Sequence, residues 1–316
     1  MTWRSVLMPK PKPFIARLAV IAGILPIVGW LGGSYWLLDL FNHFQWQYAG
    51  ALAIAVICLG CWKAWRLALL TALFLAVPLV RLAEPSLPSL HKPAIGASLR
   101  FASFNVLTAN ERYADAVSWI RETDPDVIFL PEVDEVWAEH LKPLLASHPH
   151  AVEHIVEGNF GFACYSKLPI LKQEIIPCGE MELPLLKLRL QGPQGEFTFF
   201  GAHPVPPATE FWANERDAFL LIIAEQVKAE PGAVVLAGDL NATIWSRAMK
   251  PLFAAGLQGR SVSPTWERGN PLLATPIDHL LYRGPLDKPQ SDGLKRRWVG
   301  PDLGSDHRPV VAEIAW

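Results

Sequence analysis

Three stretches near the start of the chain carry almost no charge, and no other feature limits the fold as strongly. Leu18 to Leu38 is a run of 21 residues without Asp, Glu, Lys or Arg, and Leu40 to Trp62 adds 23 more with His43 as its one histidine. Either run is long enough to cross a hydrocarbon core, which takes roughly 20 apolar residues. The third run, Leu67 to Val80, has 14 residues and reaches 18 with Trp65 and Leu82 counted, about 27 Å at the helical rise. Arg66 and Arg81 flank it, and their stems can carry the charges to the two interfaces. Pro26 and Pro78 are tolerated in such helices, and Trp36, Trp46, Trp62 and Trp65 sit where headgroups are expected. The reading is an N-terminal transmembrane region of two to three helices over residues 1–83, with the lipid bilayer as its partner.

Charge divides the chain the same way. Residues 1–92 hold eight Lys and Arg against Asp39 and Glu84, a net +6, and the remainder holds 20 basic against 28 acidic residues, a net −8. Only 18% of all residues are charged while 51% are hydrophobic, below the usual quarter for a soluble protein and far from a disordered composition. Four cysteines in 316 residues exclude a disulfide scaffold. Four basic residues precede the first run, Lys63 and Arg66 lie between the second and third, and the loop Asp39–Gln45 has none. The positive-inside rule therefore keeps the N-terminus and the 63–66 turn cytoplasmic. If the third run crosses, everything after residue 84 is extracytoplasmic; if it lies on the surface, the rest stays inside. With the third run counted as a crossing, the large domain is expected on the extracytoplasmic side of the membrane.

Residues 84–98 (EPSLPSLHKPAIGAS) contain three prolines and no periodicity. They read as an extended linker with a reach of roughly 45 Å.

Residues 99–316 read as an α/β domain. Strands are expected at Leu99–Phe104, Asp126–Leu130, Gly161–Ser166, Leu171–Pro177, Leu185–Leu190, Phe197–Ala202, Ala233–Leu236, Ile277–Tyr282 and Val310–Ile314. Helices are expected at Tyr113–Glu122, Glu210–Glu230 and Ala242–Phe253. Such a series suggests two packed sheets with helices outside.

Polar clusters stand where these buried strands stop: Ser103-Phe104-Asn105, Leu130-Pro131-Glu132, Gly201-Ala202-His203-Pro204, Gly238-Asp239-Leu240-Asn241, Ile277-Asp278-His279 and Gly304-Ser305-Asp306-His307. Strand ends project side chains into loops, where sites are built. Each cluster alone could be a turn or a helix cap, but six in succession are not independent turns. Carboxylates, Asn and His without Cys are a ligand set for Mg²⁺ or Mn²⁺ rather than zinc.

With these residues in place, residues 99–316 resemble the endonuclease/exonuclease/phosphatase superfamily, the DNase I-like group that includes sphingomyelinases and inositol polyphosphate 5-phosphatases. GDLNAT (238–243) and GSDHRPV (304–310) are the most specific segments. The membrane runs in front resemble its bacterial membrane-anchored members. The resemblance implies a four-layer α/β sandwich, two mixed sheets flanked by helices, and metal-assisted hydrolysis of phosphate esters. It implies Glu132 as main metal ligand with Asn105 beside it and Asp306 as a further metal-side carboxylate. Asp239 would position or deprotonate the attacking water, and Asn241 would bind a phosphate oxygen. His307 would contact the phosphate or transfer a proton, with Asp278 on its other ring nitrogen, and His203 would assist the phosphate or leaving group. Where the abasic-site enzymes of the superfamily carry a Tyr segment, this chain has His203, as in the DNase I, sphingomyelinase and phosphatase branches.

Three readings stay open at this level: a phosphoesterase acting on lipid-linked or small esters, a nuclease with the same site, and an inactive scaffold. A nuclease needs a basic track for its polyanion, and Lys295-Arg296-Arg297 is the one basic cluster, readable also as a solvated loop. Arg216 is either a buried support or a solvated helix charge. Cys58 and Cys61 form a C-x-x-C inside an apolar run, where small polarizable side chains serve packing. Cys164 and Cys178 lie on successive expected strands and are a possible disulfide if the domain is extracytoplasmic.

Overall fold

A computed structural model describes residues 13–31, 35–84, 92–93, 98–156, 158–267, 269–270, 272–286 and 291–315. The chain divides into two compact units, residues 1–87 and 88–316.

The first unit is helical: α1 (Pro13–Leu31), the short α2 (Trp36–Asp39), α3 (Gln45–Cys61) and α4 (Trp65–Ala83). Its outer surface is apolar, with Ile54, Ile57, Leu69, Leu73 and Val80 all exposed. The helices approach closely where a side chain is missing: a Cβ on Gly23 would lie 2.6 Å from the Phe74 ring. The expected runs are rearranged. The third forms the one single helix among the described residues that is long and apolar enough to cross a membrane, Trp65–Ala83 with mean hydropathy 1.9. The second is bent by 60° between Trp36–Asn42 and Gln45–Cys61. The first ends its helix at Leu31, and residues 32–34 lie outside the described residues, as do Arg4, Lys10 and Lys12. A polar knot lies at the bend. The Asn42 amide donates to the Gly29 carbonyl (2.9 Å) and to Asp39 (3.0 Å), while Arg81 donates to Asn42 Oδ1 (2.7 Å). Arg81 thus turns onto a buried asparagine instead of reaching for an interface, because a buried amide oxygen needs a donor.

In the second unit, β1 (Lys92–Pro93) pairs in parallel with β11 (Ser291–Asp292). The expectation of a free linker is corrected at these two residues; residues 85–91 and 94–97 lie outside the described set. The remaining elements are β2 (Leu99–Ser103), α5 (Tyr113–Thr123), β3 (Val127–Pro131), α6 (Glu135–Leu141), β4 (His150–His154), β5 (Phe162–Ser166), β6 (Ile170–Cys178), β7 (Leu183–Gly192), β8 (Gly195–Ala202), α7 (Glu210–Ala229), β9 (Ala233–Asp239), α8 (Lys250–Ala254), β10 (Asp278–Arg283), β12 (Leu294–Val299) and β13 (Val310–Ile314).

They form a six-stranded sheet, β12-β13-β2-β3-β5-β4, and a five-stranded sheet, β10-β9-β8-β7-β6. Both are mixed: β2/β3 and β8/β9 are parallel and the other pairs antiparallel. The two inner faces share one core that includes Phe101, Phe129, Phe197 and Phe199. Phe101 stands edge-on to Phe197 at 5.9 Å and stacks on Phe199 at 6.2 Å. Helices α5 and α6 cover the outer face of the six-stranded sheet, and α7 and α8 that of the five-stranded sheet. Gly201 lets the sheets meet, since a Cβ there would lie 2.4 Å from the Phe129 ring.

Several expectations are corrected. Strands β4 and β12 and helix α6 were not anticipated. The helix expected at Ala242–Phe253 is only α8, with Pro251 in its first turn, because proline is accepted there but not inside a helix. Lys295, Arg296 and Arg297 lie on strand β12, not in a loop. The Arg297 guanidinium turns into the fold and donates to the Gly259 and Leu280 carbonyls. Cys164 faces the core between the sheets and Cys178 the core beneath α7. Both thiols are free, so the disulfide is excluded by the sheet that separates them. Burial pushes the Cys178 thiol up to about 12 and that of Cys164 higher.

Candidate active site

Six of the eight residues singled out in the sequence converge at one edge of the sandwich, three from each sheet. Asn105 and Glu132 follow β2 and β3, and His307 precedes β13, all on the six-stranded sheet. His203 follows β8, Asp239 ends β9 and Asp278 opens β10, on the five-stranded sheet. The register explains the second trio. Asp278 pairs directly with Asp239, and Ala202 pairs with Gly238, so His203 and Asp239 leave adjacent strand ends. Gly238 makes that approach possible: its φ is +148° and a Cβ would lie 1.9 Å from the Ala202 carbonyl oxygen.

The trios are joined mainly by contacts from sheet to sheet. Asn105 Nδ2 donates to Glu132 Oε1 (2.9 Å) and to Asp239 Oδ2 (3.2 Å). His307 Nδ1 donates to Asp278 Oδ2 at 2.9 Å, and its Nε2 lies 3.6 Å from Asp239 Oδ2. His203 Nε2 lies 3.5 Å from the same Asp239 oxygen and 3.8 Å from Glu132 Oε1. All six side chains are buried.

Local backbone strain accompanies the site. Glu132 (φ 62°) and Asn241 (φ 48°) are left-handed, a conformation that costs a non-glycine residue about 1–2 kcal/mol and concentrates at functional positions. Hydrogen bonds hold both in place. Thr108 donates its hydroxyl to the Glu132 carbonyl at 3.0 Å. The Asn241 amide N–H caps Asp239 Oδ1 at 2.9 Å, and its side chain donates to the Pro204 carbonyl at 2.8 Å. Behind it, the fully buried Arg216 on α7 donates to the Asn241 carbonyl (3.2 Å) and to Asp217 (2.8 Å). Asn241 thus ties the Asp239 strand end to the loop after His203, and Arg216 is a buried support.

Asp306 stands apart. Its Oδ2 accepts from the Trp266 indole at 3.0 Å, and among the described residues it shares no hydrogen bond with Asn105, Glu132 or Asp239. Two hydroxyls the sequence did not flag complete the frame. Ser305 Oγ donates to the Asn105 carbonyl (2.8 Å) and accepts the His307 N–H (3.0 Å). Thr265 Oγ1 accepts the N–H groups of Ile277 and Asp278 at 3.3 and 3.2 Å. Phe160 packs on the His203 ring at 5.9 Å.

The electrostatics follow from burial and crowding. Burial alone would lower the His307 pKa, but Asp278 and Asp239 outweigh it and push it up to about 10. The same contest leaves His203 raised, chiefly through Asp239. Burial would raise Asp239, yet His307 and His203 hold it below the ordinary carboxylate range. Asp278 is raised by its burial and by Asp239.

Two groups compete as a cation site. Ligand atoms of Asp239, Asp278 and His307 lie within 4.8 Å of one another, but His307 already sits between the two carboxylates as their counter-charge. The other is Glu132: its Oε2 is buried and has no hydrogen-bond partner, beside the Asn105 amide and Asp239. An unpaired buried carboxylate oxygen fits a divalent cation, and both groups offer one, because Asp278 Oδ1 is likewise buried without a hydrogen-bond partner.

Comparison with known proteins bears on the fold and the family. The fold is similar to humanized TDP2 of D. rerio, with a TM-score of 0.58 at 21% identity over 70% of this chain and all of that one. It is similar to an endonuclease/exonuclease/phosphatase protein of Beutenbergia cavernae, with a TM-score of 0.55 at 21% identity over 69% of this chain and 72% of that one. Sphingomyelinase C of Streptomyces griseocarneus matches with a TM-score of 0.53 at 18% identity over 70% of this chain and all of that one. The profile of the Endonuclease/Exonuclease/phosphatase family matches residues 102–307, more than half of the sequence and every residue of the cluster, and the chain belongs to that family.

Proposed function

We propose that this chain is a membrane-anchored, metal-dependent hydrolase of phosphate esters, of the phosphodiesterase or phosphatase type. The observation that carries the reading is the six-residue cluster closed across the two sheets, with Glu132 Oε2 unpaired within it. Members of the family are phosphoester hydrolases and generally use divalent metals.

In this reading Glu132 and Asn105 hold the cation. The Asn105 side-chain oxygen, Oδ1, accepts from the Leu107 N–H (3.1 Å) and keeps a second lone pair. Asp306 is an outlying carboxylate on that side. The bound ion supplies charge neutralisation and Lewis acidity toward an anionic phosphate. Asp239, kept ionised by its histidine neighbours, holds a water and accepts its proton. His307 presents Nε2 to the phosphate or the leaving oxygen, and Asp278 fixes its orientation and charge. Asn241 and His203 flank the phosphate.

Among the similar structures, one D. rerio TDP2 is complexed with a single-strand DNA product, and another neighbour is a sphingomyelinase C. Nucleic acid has less support as substrate here, because the basic cluster is a strand whose Arg297 is buried in hydrogen bonds. The bilayer reading rests on α4, the bent α2–α3 pair and the apolar outer surface of the first unit. In this reading the shorter apolar helix α1 is counted as a third crossing, and with a cytoplasmic N-terminus the second unit would then face the outside of a bacterial inner membrane.

The test is a substrate panel with the full chain. Phosphodiesters, monoesters, phospholipids and DNA are assayed side by side with Mg²⁺ or Mn²⁺, with and without chelator. Chelator-sensitive hydrolysis of at least one ester is expected. No hydrolysis of any ester leaves the scaffold reading, and salt-sensitive cleavage confined to DNA favours the nuclease.

A further inference from the structure

Strand register fixes which segments border the cluster. Pro131 pairs with Phe162, Leu186 with Gly201, Asp239 with Asp278 and Ser103 with Val310. The chain leaving β8 and the chain entering β10 and β13 therefore open on the same edge as Asp239 and Glu132. Two exposed apolar pairs stand on these segments. Phe211 (49% exposed) and Trp212 (36%) occupy the first turn of α7, just beyond the loop after His203. Leu272 (76%) and Leu273 (42%) lie in a loop whose base is bridged through Trp266 to both Thr275 and His307.

Apart from the exposed Arg308 beside His307, the arginines on the neighbouring segments are engaged within the chain. Arg112 is engaged by Asp115 and Asp302, Arg247 by Asp217, and Arg260 lies over the Phe253 ring. The chain after residue 92 is net negative, with 20 basic against 28 acidic residues. A site edged by apolar side chains, on a chain that begins with an apolar helical unit, fits a substrate with a phosphate head and a hydrocarbon body.

We propose that Phe211, Trp212, Leu272 and Leu273 form a rim that enters a lipid surface and admits a zwitterionic phospholipid to the cluster. The proposal rests on the hydrolase reading and names its substrate class. Hydrolysis forms one P–O bond from water and breaks the P–O bond to an ester alcohol. The leaving oxygen takes up the proton that the water gave. Aromatic side chains suit the headgroup level, and the net negative charge disfavours strongly anionic lipids.

Two measurements on the full chain in phosphatidylethanolamine nanodiscs decide it. The first compares hydrolysis of that lipid with hydrolysis of soluble bis(4-nitrophenyl) phosphate. F211S/W212S and L272S/L273S are expected to slow lipid turnover about ten-fold and to leave the soluble ester unchanged. Equal loss on both substrates, or loss on neither, overturns the rim. The second places a photoreactive benzoylphenylalanine at position 212, 272 or 221; Leu221 is an exposed residue further along α7. Lipid adducts are expected at 212 and 272 and not at 221, and equal yields at all three, or none at 212 and 272, overturn the rim. A wild-type chain that hydrolyses neither ester defeats the hydrolase reading, and the crosslinks then decide the rim by themselves.

Discussion

His307 Nδ1 and Asp278 Oδ2 lie 2.9 Å apart, both buried, one from each sheet. The carboxylate can only accept, so the pair fixes the ring proton on Nδ1 and the direction of Nε2. Asp278→Asn replaces the acceptor with a group that can turn a donor toward the ring. The expected result is a fall in kcat of about 10²-fold or more with KM little changed, read by steady-state kinetics, and an unaltered circular dichroism spectrum. His307→Ala and Asp239→Asn are expected to abolish turnover with the fold intact.

Glu132 Oε2 has no partner among protein groups. A cation that fills this position binds the folded chain and not the unfolded one, so Mn²⁺ or Mg²⁺ at a hundred times its dissociation constant raises stability by about 2.7 kcal/mol. Thermal unfolding of the wild type is expected to shift upward with metal and back with chelator. Glu132→Gln is expected to lose that shift while keeping its own metal-free Tm. A shift of full size in the Gln variant places the ion elsewhere, at Asp239, Asp278 and His307.

Arg216 is fully buried and serves both the Asn241 carbonyl and Asp217. Arg216→Met keeps much of the volume but leaves the Asn241 carbonyl without this donor, while Asp217 keeps Arg247 at 3.3 Å; a buried acceptor left unpaired costs about 1–3 kcal/mol. A lowered denaturant midpoint is expected, together with a loss of kcat larger than the loss of folded protein, because the left-handed turn at Asn241 loosens. Activity that falls only in proportion to the folded fraction would make Arg216 a stability residue alone.

Acid stability has a traceable source in Glu230. Burial would raise its pKa, but Lys187 at 2.8 Å, Thr198 at 2.9 Å and Arg189 at 3.1 Å reverse the shift and hold it low. A carboxylate whose pKa falls on folding adds stability that is fully present above its unfolded value, roughly 4.3. That stability is lost as the pH drops through the folded value. Glu230→Gln is expected to lower Tm at neutral pH and to flatten the acid limb of the Tm–pH curve. Parallel curves for the two proteins would remove Glu230 from the account.

The sequence was most legible where periodicity was strong. Helix α7 was expected at Glu210–Glu230 and runs Glu210–Ala229, and β2 was expected at Leu99–Phe104 and runs Leu99–Ser103. The missed strands lie at the ends of the six-stranded sheet. His150–His154 shows little alternation, and Leu294–Val299 disguises itself with three consecutive basic residues. Edge strands carry such polar sequences because one side of their backbone meets solvent. Asn105, Glu132, His203, Asp239, Asp278 and His307 could be picked out because strand ends are visible in sequence. Ser305 and Thr265 could not, since a hydroxyl that accepts backbone N–H groups has no spacing to betray it. Asp306 is a metal-side carboxylate by the resemblance alone; in the structure its Oδ2 accepts from the Trp266 indole.

The division of the cluster, three side chains from each sheet, makes catalysis a gauge of how the two layers are aligned. A slide of one layer over the other by an ångström or two leaves each sheet's own ladder intact, yet it separates Asn105 from Asp239 and His307 from Asp278 together. Mild denaturant or a loosened Phe101–Phe199 contact should therefore silence the proposed hydrolase activity while secondary structure persists, so that inactivation runs ahead of melting.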